Sequence, residues 1–308
     1  MIMRPQTQLE ARPKTKWEYR KDRISNLWFL FKESRVGILG VAILAIFFIL
    51  AIASEIPPRL DHMYQPLYGT DPDIIGFSQP SLRHPMGTDF MGRDLFSQLL
   101  EGSKWGLIVG ITAAAASVVV GTVVGLVSGY FGGTIDTILQ RSADIVLTLP
   151  SIPLILVIGT ALGRLSIWNI VILIGLLGWP STSKVIRSQV LSLRERPFIE
   201  SARVSGASDG RIIFRHIAPN VLPLSFLYMT FGVTGAILTE AALSFIGLGD
   251  PSTVSWGMML QWCFTSGYTF KAPFWLLPPG LCITFLALSF YLIGIGTEQI
   301  INPRLRKR

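Results

Sequence analysis

Long uncharged stretches alternate with short polar ones along this chain, at a spacing that dictates its architecture. A helix needs about 20 apolar residues to cross the hydrocarbon core of a bilayer. Six stretches meet that need. VGILGVAILAIFFILAIAS lies between Arg35 and Glu55, and no charge interrupts Trp105 to Ile135. IVLTLPSIPLILVIGTALG covers 145–163 and LSIWNIVILIGLLGWPSTS covers 165–183. An uncharged run from Ile217 to Thr239 continues beyond Glu240 to Gly249, and APFWLLPPGLCITFLALSFYLIGIGT covers 272–297. The pattern predicts an all-α integral membrane protein with six transmembrane helices: one at 36–55 and five in a core at 105–297. A tail precedes them at 1–35, and a basic tail follows at 298–308. The first apolar run is too long for a signal-peptide h-region and reads as a retained helix. Pro150 and Pro153 predict a kink in the third span.

The loop at 56–104 is rich in Pro, Gly and Tyr, which predicts turns. Its end, Asp89–Leu100, predicts a short amphipathic helix lying on the membrane, with Phe90, Leu95, Phe96, Leu99 and Leu100 facing the lipid.

Composition strengthens the membrane reading. Hydrophobic residues make up 50% and charged ones only 15%, against about 25% charged in soluble domains. Charge then orients the spans, because cytoplasmic segments retain Lys and Arg. Of 27 basic residues, 21 fall in segments 1–35, 131–143, 184–216 and 298–308, and six in the intervening loops. Both termini and the loop after the fourth span are therefore expected in the cytoplasm, with 56–104 outside. The net charge of +8 suits an anionic membrane surface, with no nucleic-acid partner. Cys263 and Cys282 form neither a CxxC pair nor a disulfide framework.

The polar stretch Glu195–Asn220, ERPFIESARVSGASDGRIIFRHIAPN, carries the most information. Pro197 suits a first helical turn. Phe198, Ala202 and Gly206 then share one face, a bulky anchor followed by small residues that admit another backbone. Gly206 suits a helix end, and SDGR reads as a turn before a second short helix enters the fifth span. The face either docks on a cytoplasmic partner or packs on the protein's own loops.

These residues resemble the EAA motif of ABC-importer permeases. Glu200, Ala202, Gly206 and Pro219 match, with Ser201 and Ala218 where Ala and Leu are usual. Gly206, Ala207, Ser208, Arg211, Ile212, Ile213, Arg215, His216, Pro219 and Asn220 fit the form seen in the dipeptide/oligopeptide, binding-protein-dependent branch. HPMGTDFMGRDLFSQLLEG (84–102), EAALSFIGLG (240–249) and PSTVSWG (251–257) are also similar to that branch. The ending GIGTEQIINPRLRKR departs from it, which bears on substrate class.

The resemblance implies a MetI-like permease fold with a cytoplasmic coupling loop at 188–219. It implies a homologous second permease, two ATPase subunits beneath them and an extracytoplasmic solute-binding protein. Phe198, Glu200, Ser201, Ala202, Gly206, Ala207 and Ser208 would couple to an ATPase, with Arg211, Arg215, His216 and Pro219 supporting the loop. The expected substrate is a peptide; oligosaccharides and nickel chelates use similar permeases.

ATP and Mg are expected on the partner subunits, with no cofactor in this chain. No lysine follows a glycine, so the phosphate-cradling Gly-Lys-Ser/Thr of a P-loop is missing. No HExxH, no GxSxG and no aspartate pair at membrane depth point to catalysis, so no catalytic residue is assigned. An ion-coupled transporter would call for more buried charge. Glu240, an ionisable residue inside a span, either lines the pathway or bonds neighbouring backbone near the outer end. Asp136, Arg141 and Asp144 read as an interfacial charge network. His62 and His84, among Asp61, Asp71, Asp73 and Asp89, lack a ligand spacing, and no metal is assigned.

Overall fold

A computed structural model describes residues 31, 34–162 and 165–301. Residues 1–30 and 302–308, the bulk of the two expected tails, lie outside the described residues.

The described residues form helices, with only isolated bridges at Ser78–Thr88 and Thr88–Asp94. Five helices are long and apolar enough to span a membrane, and a bent pair supplies a sixth crossing. Helix α1 (Arg35–Ala53) starts at Ser34, whose hydroxyl accepts from the Gly37 N–H. Helix α2 (Leu95–Phe131) starts at Asp94, whose carboxylate accepts from the Ser97 N–H. Its 37 residues extend about 55 Å. This corrects the expected surface helix at 89–100: residues 95–100 are the first turns of α2 itself. No breaker interrupts the join. Gly102 lets the Trp256 ring lie flush on α2, where an added Cβ would sit 2.3 Å from that ring. The Trp256 indole donates to the Leu99 carbonyl at 3.0 Å.

The third crossing is broken more sharply than a kink. Helix α3 (Gly133–Thr148) and helix α4 (Ser151–Leu162) meet at 86°. Leu149 between them is extended, at φ −83° and ψ 131°, as the residue before Pro150 must be. Twelve residues of α4 reach only about 18 Å, so α4 alone cannot cross. Helix α5 (Ile167–Arg194) returns across the bundle.

A short helix, α6 (Pro197–Val204), follows, then one turn at Asp209–Arg211 and a π-helical turn at Ile212–Ile217. Helix α7 (Ala218–Leu243) ends in a second π turn at Ser244–Leu248, where Gly247 takes φ +93°. Helix α8 (Trp256–Thr265) was not evident in the sequence pattern. Helix α9 (Pro273–Ile301) is the last crossing.

Lipid gives helices no hydrophobic drive to associate, so close backbone packing has to hold them. Gly121, Gly125 and Gly129 recur every fourth residue along α2 and receive α5. A Cβ on Gly121 would sit 2.6 Å from the Trp179 carbonyl, and one on Gly125 would sit 2.7 Å from the Ser183 carbonyl. On the other side of the bundle, Gly37 of α1 meets Gly296 of α9, where a Cβ would lie 2.7 Å from the facing Cα.

The two ends of the bundle differ. At one, Tyr130 of α2, Arg194 of α5 and Asp209 meet. At the other, the Ile167 N–H that opens α5 donates to Asp250 beyond α7 at 2.9 Å. Lys104 of α2 meets Glu55 beyond α1 there, at 2.8 Å. The 61–94 loop caps this second end. Since α2 ends at the first and α5 begins at the second, the α3–α4 pair has to connect them.

Candidate docking site at the basic end of the bundle

Helix α6 sits on a small core of its own. Ile199 is fully buried with Leu126, Tyr130, Ile186, Val190, Ile212, Ile213, Ile217 and Val221. These residues come from the ends of α2, α5 and α7, so one side chain ties α6 to three crossings. Burial of a residue like Ile199 is worth about 2–5 kcal/mol against alanine. Polar bonds brace the same place. The Tyr130 hydroxyl donates to Asp209 at 2.6 Å, and Arg194 donates to the Tyr130 carbonyl at 3.1 Å.

Pro197 occupies the first turn, as expected. At the other end Gly206 takes φ +77°. The Gly206 N–H reaches the Arg203 carbonyl at 3.0 Å and the Ala207 N–H the Ala202 carbonyl at 3.1 Å, closing the helix. A Cβ on Gly206 would meet nothing within 4 Å, so backbone conformation, not crowding, favours glycine there.

The other side of α6 is bare. Phe198 is 44% exposed and Val204 86% exposed. Glu200, Ser201, Arg203 and Gly206 are exposed as well, and Ala202 and Ala207 are partly buried. The helix therefore packs on the protein's own chain through Ile199 and leaves another face open to solvent. Ile199 packs on the protein's own chain, and Phe198 beside it points away. Periodicity from Phe198 picked out the bare face but missed Ile199, the inward anchor, and Val204.

Downstream, Ser208 is exposed at the foot of the next turn, and Phe214 is also exposed. Arg211 and Arg215 are exposed and form no ion pair with the described residues. The loop is braced instead by Ile212, Ile213 and Ile217 and by the Asn220 amide, which donates to the His216 carbonyl at 2.6 Å. Pro219 stands in the first turn of α7, where its missing N–H is harmless.

The charge cluster on α3 clamps that helix to α5. Arg187 holds Asp136 through two bonds of 2.5 Å, and Lys184 holds Asp144. Arg141 is only 4.0 Å from Asp144 on its own helix. The sequence supplied the acids, and their partners Lys184 and Arg187 come from the apolar-to-basic transition of α5. These pairs fix α3 to α5, the helix whose end lies beside α6.

At the opposite end Glu240 is buried and accepts from the Ser244 hydroxyl at 2.7 Å. It thus bonds one turn along its own helix. His84 is buried between two carboxylates, with Asp94 at 2.8 Å from Nδ1 and Asp71 at 3.0 Å from Nε2. Burial alone would raise the Asp71 carboxyl, but the His84 bond, the Asp73 N–H and the Arg83 guanidinium hold it below the usual carboxylate range. Asp94 also caps α2, so this clamp fixes the 61–94 loop to the second crossing. Asp250 is likewise held low: its bonds from Ser252 and Ile167 outweigh its burial.

Comparison with known proteins adds to this geometry. The family described as "Binding-protein-dependent transport system inner membrane component" matches residues 121–307. A putative peptide permease protein of Brucella suis is 37% identical over 280 residues, covering 89% of each chain. A dipeptide transport system permease protein of Alkalihalophilus pseudofirmus is 35% identical over 276 residues, 89% of this chain and 88% of that one. An oligopeptide transport system permease protein of Bacillus subtilis is 31% identical over 281 residues, 90% of this chain and 88% of that one.

Proposed function

Since this chain belongs to the binding-protein-dependent transport system inner membrane components, we propose that it is a peptide-translocating permease subunit of an ABC importer. It works beside a homologous permease, above two ATPase subunits that bind ATP and Mg, and below an extracytoplasmic solute-binding protein. The chain itself catalyses no reaction. It is a multi-pass inner membrane protein, and the basic end carrying α6 faces the cytoplasm with both termini.

The observation that carries this reading is the two-faced helix α6. Its inner face is bolted by Ile199 to α2, α5 and α7, and its outer face presents Phe198 and Val204 to solvent. An exposed aromatic on a short, firmly seated helix suits insertion into a groove of a partner. Glu200, Ser201, Ala202, Gly206, Ala207 and Ser208 form the remainder of the docking surface. When the ATPases close on ATP, the pull on α6 passes into the core through Ile199 and the Tyr130–Asp209 bond. The Asp136–Arg187 and Asp144–Lys184 pairs carry it from α5 to α3. The crossings then exchange inward-facing and outward-facing arrangements.

The peptide substrate rests on the relatives, which are peptide, dipeptide and oligopeptide permeases by name. The test is uptake by proteoliposomes holding the complete complex. Labelled dipeptide or oligopeptide should accumulate only with ATP inside and binding protein outside. Accumulation of an oligosaccharide or a nickel chelate in its place would reassign the substrate. Uptake that persists without the ATPase subunits would overturn the importer reading.

A further inference from the structure

A chamber of about 350 Å³ lies at mid-depth between α2, α4, α5 and α7. Its size falls in the range of small-molecule sites, about 300–1,000 Å³. Its lining is unusual for a membrane interior: hydroxyls converge on it from all four helices, and no charged side chain lines it.

Ser117 of α2 is only 9% exposed, and its hydroxyl has no hydrogen-bond partner among the described residues. Ser181 of α5, which is exposed, and Tyr228 of α7, which is half-buried, also face the chamber without a partner among the described residues. Elsewhere in the spans the buried hydroxyls are satisfied. Thr230 donates to the Leu227 carbonyl, Ser289 to the Leu286 carbonyl, and Thr122 to Ser225. A polar group withdrawn from water without a partner is unfavourable. Ser117, nine-tenths buried and facing the chamber, therefore marks it as a place whose partner arrives from outside the chain, and Ser181 and Tyr228 extend the same polar lining.

The chemistry of that partner follows from the lining. A hydroxyl offers one donor and two acceptor positions, so a ring of hydroxyls can serve both the N–H and the C=O of an amide. With no charge in the lining, the chamber cannot grip a particular ionised side chain. Glycines such as Gly232 and Gly235 let a backbone come close. The hold is weak, neutral and indifferent to side-chain identity, as transit of varied peptides requires.

We propose that this chamber is a transit site for the amide backbone of a short peptide, held by the hydroxyls of Ser117, Ser181 and Tyr228. The proposal rests on the peptide-importer reading above and assigns its selectivity to the backbone, not to side chains.

The test uses the complete transporter in proteoliposomes with saturating binding protein. The substrates are labelled trialanine and its analogue with one amide replaced by an ester, which lacks that N–H. Wild type should transport trialanine faster than the ester. The triple variant S117A/S181A/Y228F should lower that amide-to-ester rate ratio by about tenfold, as expected for lost neutral hydrogen bonds. Gly235→Leu fills the chamber at a position where a Cβ meets nothing within 4 Å. It should assemble with its partners at wild-type levels yet transport trialanine at least tenfold more slowly. An unchanged ratio in the triple variant, or Gly235→Leu transporting within twofold of wild type, overturns the chamber assignment. A wild-type complex that accumulates no trialanine overturns the importer reading itself, and the chamber with it.

Discussion

Phe198 and Ile199 are sequence neighbours about 100° apart around α6, one exposed and one buried, so substituting each in turn separates docking from folding. Phe198 is 44% exposed. A side chain of its kind presents about 200 Å² when fully open, so about 90 Å² remains for a partner to cover. At about 25 cal/mol per Å² this is about 2.2 kcal/mol, or about 40-fold in affinity. Phe198→Ala should therefore weaken ATPase-subunit binding by about that factor. The permease itself should keep its thermal stability, since exposed substitutions change it by about 0.5 kcal/mol or less. Ile199→Ala should do the reverse, removing about 2–5 kcal/mol from the small core at this end. Binding is measured by titrating the ATPase subunit onto permease in nanodiscs, and stability by thermal unfolding of the same samples. If Phe198→Ala binds within twofold of wild type and Ile199→Ala unfolds like wild type, the assignment of the two faces is wrong.

Gly206 should tolerate asparagine better than valine, because left-handed backbone costs an ordinary L-residue about 1–2 kcal/mol. Unfolding of a Gly206→Val, Gly206→Asn and wild-type series measures this. Gly125→Leu should prevent stable folding, since its Cβ alone would lie 2.7 Å from the Ser183 carbonyl, and yield of monodisperse protein reports it. Asp71 is held below the usual carboxylate range, so the stability it lends the 61–94 loop is present above that range, about pH 3.9. That stability is lost as pH falls through its folded-state value. Protease cleavage within 61–94 should therefore rise on acidification in wild type, and Asp71→Asn should cleave readily at neutral pH too. Exchanging charges in an Asp136→Arg/Arg187→Asp double variant should restore part of the uptake that either single variant loses.

Much of this architecture is legible from hydropathy, because lipid penalises every charge inside a span and so marks the span ends. The helix at 197–204 and the glycine that ends it are legible for a similarly local reason: Pro197 and Gly206 act through their own backbones. The features missed depend on contacts between distant segments. Leu95–Leu100 has the pattern of a surface helix, and only packing of Trp256 on Gly102 shows that it continues into α2. The right angle at Leu149–Pro150 depends on how α3 is clamped to Lys184 and Arg187, and a lone proline does not specify it. Gly121, Gly125 and Gly129 form a four-residue repeat of small residues, the signal for close helix pairing, which hydropathy passes over and which does not identify α5 as the partner. Inside α6, Ile199 and Phe198 are both apolar, and nothing local tells which one faces the core.

Docking through α6 requires its exposed face to seat in an ATPase subunit and to move with it. Its most direct test is a thiol cross-link from Val204→Cys, the 86% exposed position on that helix, in the complete complex within membranes. The native Cys263 is buried and Cys282 lies within α9, away from α6. A cross-link to an ATPase subunit is expected, with a yield that changes when ATP is added. A cysteine at this position that is labelled only from the extracytoplasmic side, or that joins no ATPase subunit with or without nucleotide, would contradict it.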